Sequence, residues 1–84
     1  MTYTVVWALS ARNALADIWN QALDRQAVTQ AANRIDRELR IDAHGKGRIF
    51  HNRRLLVVSP LAVTFAVDPG DCKATVLQVR RVVP

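Results

Sequence analysis

The stretch from Arg48 to Val83 constrains the fold most, because it holds three apolar runs in series with tight-turn residues between them. Arg53 to Val58, Leu61 to Val67 and Ala74 to Val82 read as strands joined by Ser59-Pro60 and by Asp68-Pro69-Gly70-Asp71, the pattern of an antiparallel meander. Along the middle run, Leu61, Val63, Phe65 and Val67 alternate with the smaller Ala62, Thr64 and Ala66, so one face of the sheet is strongly apolar and needs a cover.

The upstream residues supply it. Thr2 to Trp7 reads as a further strand with Tyr3, Val5 and Trp7 on one side. Ser10 is placed to cap a helix whose stripe is Leu15, Ile18, Trp19 and Ala22. Asp24 is placed to cap a second, longer helix to about Arg40, with Val28, Ala31, Ala32, Ile35 and Leu39 inward and Gln30, Arg34 and Arg37 outward. The expected architecture is α+β: an N-terminal strand, a two-helix hairpin and a three-stranded antiparallel meander, with Trp7 and Trp19 filling the core between the opening strand and the first helix.

A chain of 84 residues with no linker or repeat is expected to be one domain, 1–84, burying roughly 60% of its unfolded surface, so its core is modest and a partner has room to add stability. The net charge of +5 is unevenly placed: residues 1–40 carry five Arg against four acids, a balance of +1, and residues 41–84 carry seven Lys/Arg against three acids, a balance of +4. The basic excess on the sheet half favours an anionic partner, either a polyanion or an acidic protein. Cys72 is the only cysteine, which excludes an intrachain disulfide. No signal-peptide pattern opens the sequence and no apolar run nears the ~20 residues that span a bilayer, so a soluble cytoplasmic protein without a membrane partner is expected.

Between the helices and the meander, Asp42-Ala43-His44-Gly45-Lys46-Gly47-Arg48 combines two glycines with cationic or titratable groups. It lacks the spacing and trailing Ser/Thr of a Walker loop and reads as a solvated connection. His44, His51 and Cys72 lack structural-zinc spacing, so neither metal nor cofactor is expected. Asp68 and Asp71 are assigned to the hairpin turn, where an Asx carboxylate bonds local amides.

The order of strand, two helices and meander, with Arg54-Leu55-Leu56-Val57-Val58, Phe65-Ala66-Val67-Asp68 and Val76-Leu77-Gln78-Val79-Arg80-Arg81-Val82, resembles the RelE/ParE toxin superfamily of bacterial type II toxin–antitoxin systems over nearly the whole chain. The resemblance implies a twisted antiparallel sheet with both helices on one face and a concave basic surface on the other, neutralised by a cognate antitoxin that wraps the toxin. It also implies one of two targets: translated messenger RNA on the ribosome, cut without metal by the RelE branch, or DNA gyrase, blocked by protein contact by the ParE branch. A third reading is an inactive toxin-like binding module.

RNA cleavage by 2′-hydroxyl attack needs a proton acceptor, a proton donor and cations for the growing phosphate charge. Arg54 resembles the family arginine that enters the sheet and Arg81 the one that ends the last strand; Arg80 fits nearly as well. With Leu77 and Val79 toward the helices, Arg80 would share the open face with Val76 and Gln78, and Arg81 would lie on the core side unless the strand has ended. The tyrosine that many ribonuclease members carry at the C-terminus has no counterpart in Val82, Val83 and Pro84, which leaves His51 as the candidate base, His44 and Lys46 as lesser ones, and Tyr3 as a core or rim residue. The candidate catalytic set is His51, Arg54 and Arg81, and the candidate RNA-binding set is Lys46, Arg48, Arg53 and Arg80. Arginines at strand ends also protect sheet edges against pairing.

Overall fold

The computed structural model of the protein describes residues 2–43, 45, 48–50 and 53–82, with 48–50 described by their backbone. The first strand, β1, is Thr4–Trp7, and it leads directly into helix α1, Leu9–Gln21. A three-residue turn connects α1 to α2, Arg25–Asp42. The sheet continues with β2 (Arg48–Phe50), β3 (Arg53–Val58), β4 (Leu61–Asp68) and β5 (Lys73–Arg81). Among the described residues the sheet has five strands in the order β1-β5-β4-β3-β2.

The meander stands as the alternation requires, with β3, β4 and β5 antiparallel. Two features depart from the expected sheet. β2 adds a short antiparallel strand to β3, with Arg48 opposite Leu55. β1 runs parallel to β5, Trp7 opposite Val76, so the sheet is mixed and not purely antiparallel. A parallel neighbour needs a long connection, and here it is made by the helical hairpin together with β2, β3 and β4.

Each helix begins for a different reason. Asp24 caps α2 as its position suggests, its carboxylate accepting from the Ala27 amide at 3.0 Å. At α1 the expected cap is replaced: Ala8 is the N-cap, with no side-chain hydrogen bond, and Ser10 lies inside the first turn. Its hydroxyl is 3.4 Å from the Leu77 carbonyl of β5, and the Ala8 amide donates to the Val76 carbonyl at 2.9 Å. Tertiary contact with the sheet therefore sets the start of α1, two residues earlier than capping by Ser10 would.

Both helices lie on one face of the sheet. Ala11 of α1, Val28, Ala31, Ile35 and Leu39 of α2, and Leu61, Val63 and Phe65 of β4 are buried together, with Ala74, Val76 and Val79 of β5. The buried Ala11 and Ala31 let the helix backbones come close to the sheet. Tyr3 is also buried, and its amide donates to the Arg40 carbonyl at 2.7 Å, tying the chain start to the end of α2. Trp7 packs on this core as expected; Trp19 does not, and stays 40% exposed at the far end of α1.

Candidate functional site

Residues that face each other across neighbouring strands share a side of the sheet, so the register decides what the uncovered face presents. On β3, Arg54 lies opposite Phe65 and therefore on the helix side, while the alternate residues Arg53, Leu55 and Val57 take the open side. On β4 the open residues are Ala62, Thr64 and Ala66, half-buried between their strand neighbours. On β5, Arg80 lies opposite Ala62, on the open side, and Arg81 opposite Leu61, on the helix side.

Arg80 thus takes the open side and Arg81 the helix side, although the condition expected to give that orientation is not met. Val76 and Val79 are the pair buried against the helices, in place of Leu77 and Val79, because the β4–β5 register shifts between Thr64 and Phe65. Leu77 is the extra residue of a β-bulge there.

The four arginines do not form one cluster. Arg53 and Arg80 share the open face, but Arg53 is level with Ala66 and Arg80 with Ala62, four residues along β4 and two strands across, about 16 Å between Cα atoms at standard strand spacings. Arg54 and Arg81 are offset in the same way on the helix side. Between these two cations lies an uncharged surface of Leu55, Val57, Ala62, Thr64, Ala66 and Gln78, with Val57 54% exposed, and Lys73, opposite Asp68, takes the same side at the hairpin end of β5. Neither Arg53 nor Arg80 has an ion-pair partner among the described residues.

His51, His44 and Lys46 lie outside the described residues. Arg48 lies by its backbone at the sheet edge opposite Leu55. In the stretch read as a solvated connection, the Gly45 amide donates to the Asp42 carboxylate at 3.2 Å, a local bond that closes the end of α2. Asp68 acts in its turn as expected, accepting from the Asp71 amide at 3.2 Å. Among the described residues no three His, Cys, Asp or Glu side chains converge on one point, and no helix is long and apolar enough to cross a membrane.

A second surface, not foreseen in the sequence, lies between the helices. α1 and α2 leave a groove of about 610 Å³ whose walls include Leu15 and Trp19 from α1 and Val28 and Ala32 from α2, with Trp7 at one end. Both ends are fixed. Trp7 Nε1 donates to Asp36 at 3.4 Å, and the other Asp36 oxygen accepts from Arg40 at 2.8 Å. At the far end Trp19 Nε1 donates to the Thr29 hydroxyl at 3.1 Å, while the Arg25 guanidinium lies 4.7 Å from the indole centroid and donates to the Trp19 and Asn20 carbonyls at 3.2 Å. Arg25 thereby satisfies carbonyls at the end of α1, which has no basic residue of its own in its last turn. The groove had a signal: the i,i+4 pairs Leu15/Trp19 and Val28/Ala32 widen each helix stripe beyond what one sheet face covers.

No protein-family profile matches the chain, and a sequence search of curated proteins returns no match. Solved structures do match in shape. The chain is similar to a chain of the RelBE2 toxin–antitoxin complex of Mycobacterium tuberculosis, with a TM-score of 0.75, 16% identity and coverage of 96% of this chain and 99% of that one. It is similar to a chain of the chromosomal ParDE system of P. aeruginosa, with a TM-score of 0.68, 18% identity and 98% of both chains covered. It is also similar to an arginine-to-alanine mutant of the E. coli toxin RelE in its free state, with a TM-score of 0.64, 15% identity and 96% and 84% covered. With the helical hairpin on one face of the sheet and the other face bare, and with nearly full-length superposition on both branches, the chain has the RelE/ParE toxin fold.

Proposed function

We propose that the protein is the toxin of a type II toxin–antitoxin pair, a growth inhibitor that meets its target with the open sheet face and is held by a cognate antitoxin. The observation that carries this reading is the near end-to-end likeness to a chain of a toxin–antitoxin complex, at a TM-score of 0.75 with 96% and 99% of the two chains covered. The groove between α1 and α2 gives the antitoxin a seat: its floor is apolar and aromatic, and Arg12 and Arg25 stand beside it, which suits an amphipathic segment with acidic flanks.

Within this reading the open face favours a protein target, as in gyrase inhibition of the ParE kind, over messenger cleavage. Its centre is small and uncharged, and its cations stand around that centre, Arg53 and Arg80 at diagonal corners with Cα atoms about 16 Å apart and Lys73 at the hairpin end of β5. An uncharged, largely apolar centre with a polar and charged rim is the anatomy of a protein–protein contact. The acid–base chemistry of a ribonuclease would fall to His51 and Lys46, with Arg54 and Arg81 as its cations, and the register puts those two arginines on the helix side. Either target places the action in the cytoplasm.

The test is expression in bacteria with and without the product of the adjoining reading frame, following growth, DNA-damage induction and transcript integrity together. Growth arrest with DNA damage and intact transcripts, relieved by co-expression, is the expected result. Arrest with ribosome-dependent transcript cleavage would replace the gyrase reading by the ribonuclease one, and unimpaired growth would leave only a toxin-like binding module.

A further inference from the structure

The β4–β5 ladder breaks step once, and the break decides which arginine the open face receives. Thr64 pairs with Gln78 and Phe65 with Val76, so Leu77 has no partner of its own on β4. In an unbroken strand, residues 76 and 79 point to opposite faces. Here Val76 is 0% and Val79 5% exposed, both against the helices. Beyond the bulge Gln78 and Arg80 take the open side and Arg81 the side of Leu61. Had the alternation run unbroken from Val76, Arg81 would face the open side and Arg80 the helices.

The bulge is also seated. It lies where β1 passes into α1, and the two carbonyls at the break, those of Val76 and Leu77, are met by the Ala8 amide at 2.9 Å and the Ser10 hydroxyl at 3.4 Å. Two independent forces therefore fix it in place: the demand of Val76 and Val79 for the same core, and the backbone bond from the start of α1. The missing side-chain cap on α1 fits this arrangement, since Ser10 lies against β5 and not over the helix end.

We propose that the Leu77 bulge sets the phase of the last strand so that Arg80, and not Arg81, is the specificity-determining cation at that corner of the open face. What Arg80 meets rests on the toxin reading above; where it points does not. Two experiments keep these apart. The first reads the phase alone, in a Cys72→Ser background, by mild oxidation and titration of the remaining thiols. Ala62→Cys with Arg80→Cys is expected to lose both thiols to a cross-strand disulfide, whereas Ala62→Cys with Val79→Cys keeps them. The reverse outcome, pairing of 62 with 79, is the unbroken register and would overturn the inference.

The second reads the role. Arg80→Ala is expected to weaken growth inhibition, with target affinity falling about tenfold or more for a lost charged contact, while Arg81→Ala inhibits like the parent chain. Circular dichroism of both variants separates lost contact from lost fold. Deletion of Leu77 restores plain alternation without changing the phase, so the dependence on Arg80 persists in that background. Loss of inhibition through Arg81→Ala with Arg80→Ala unaffected would overturn the proposal. If the parent chain never slows growth, the toxin reading and the role of Arg80 fail together, and the disulfide pattern still decides the phase.

Discussion

The two sides of the sheet end in surfaces of opposite kind. The helix side carries an open groove walled by Trp7 and Trp19, its ends held by side-chain hydrogen bonds to Asp36 and Thr29. The open side is made of Val, Ala, Thr, Leu and Gln, with Arg53, Lys73 and Arg80 around its rim. A groove with aromatic walls holds on to a partner through buried area, and large anchors in pockets dominate such binding. A face rimmed by charges orients a partner and sets the encounter rate. One 84-residue chain thus has a surface suited to lasting capture and another suited to steered contact, on either side of one core.

Four substitutions sharpen or break that contrast. The largest effect is expected from Phe65→Ala, which empties the centre of the shared core: a loss of about 3–5 kcal/mol of stability, seen in urea unfolding, with both surfaces failing together. Retention of either surface in that variant would mean the two are built separately. Next, Trp19→Ala removes the main groove wall and is expected to weaken antitoxin binding by about 2 kcal/mol, the size of an aromatic hot spot, measured by titration calorimetry while growth inhibition persists. Asp24→Ala removes the α2 cap and should cost about 1 kcal/mol, a modest drop in thermal midpoint that leaves the open face intact. The smallest effect belongs to Arg34→Ala: its i,i+4 bond to Glu38, at 3.5 Å on an exposed helix face, contributes under about 0.5 kcal/mol, so neither stability nor either surface should change measurably.

The parts of this molecule that were legible in the sequence are those where one local period governs. Leu61, Val63 and Phe65 are buried because alternation along β4 is unbroken, and Asp24 caps α2 because its carboxylate finds an amide three residues on. What escaped was set by contacts remote in the chain. Ser10 resembles a cap until β5 offers it the Leu77 carbonyl, 67 residues away. β1 pairs with β5 in parallel, a choice that nothing within Thr4–Trp7 encodes. Trp19 was assigned to the core because it belongs to the same stripe as Leu15 and Ile18, yet the stripe is wider than the sheet, and its surplus forms the groove wall.

The candidate site divides along the same line. Arg53, Arg54, Arg80 and Arg81 could be picked out by charge and by position at strand ends, but sequence adjacency makes each pair look like a single patch. Adjacent residues on a strand point in opposite directions, so each pair splits between the two faces. Only the bulge at Leu77 decides which member of the second pair goes where, and its location follows from Val76 and Val79 sharing one core.

Growth inhibition by a Val57→Asp variant tests the separation of the two surfaces most directly. Val57 lies at the open face and is 54% exposed, so a carboxylate there leaves the core untouched while charging an apolar contact. The variant is expected to fold, to co-purify with the antitoxin as the parent chain does, and to lose growth inhibition. A Val57→Asp chain as toxic as its parent would show that the target is met elsewhere.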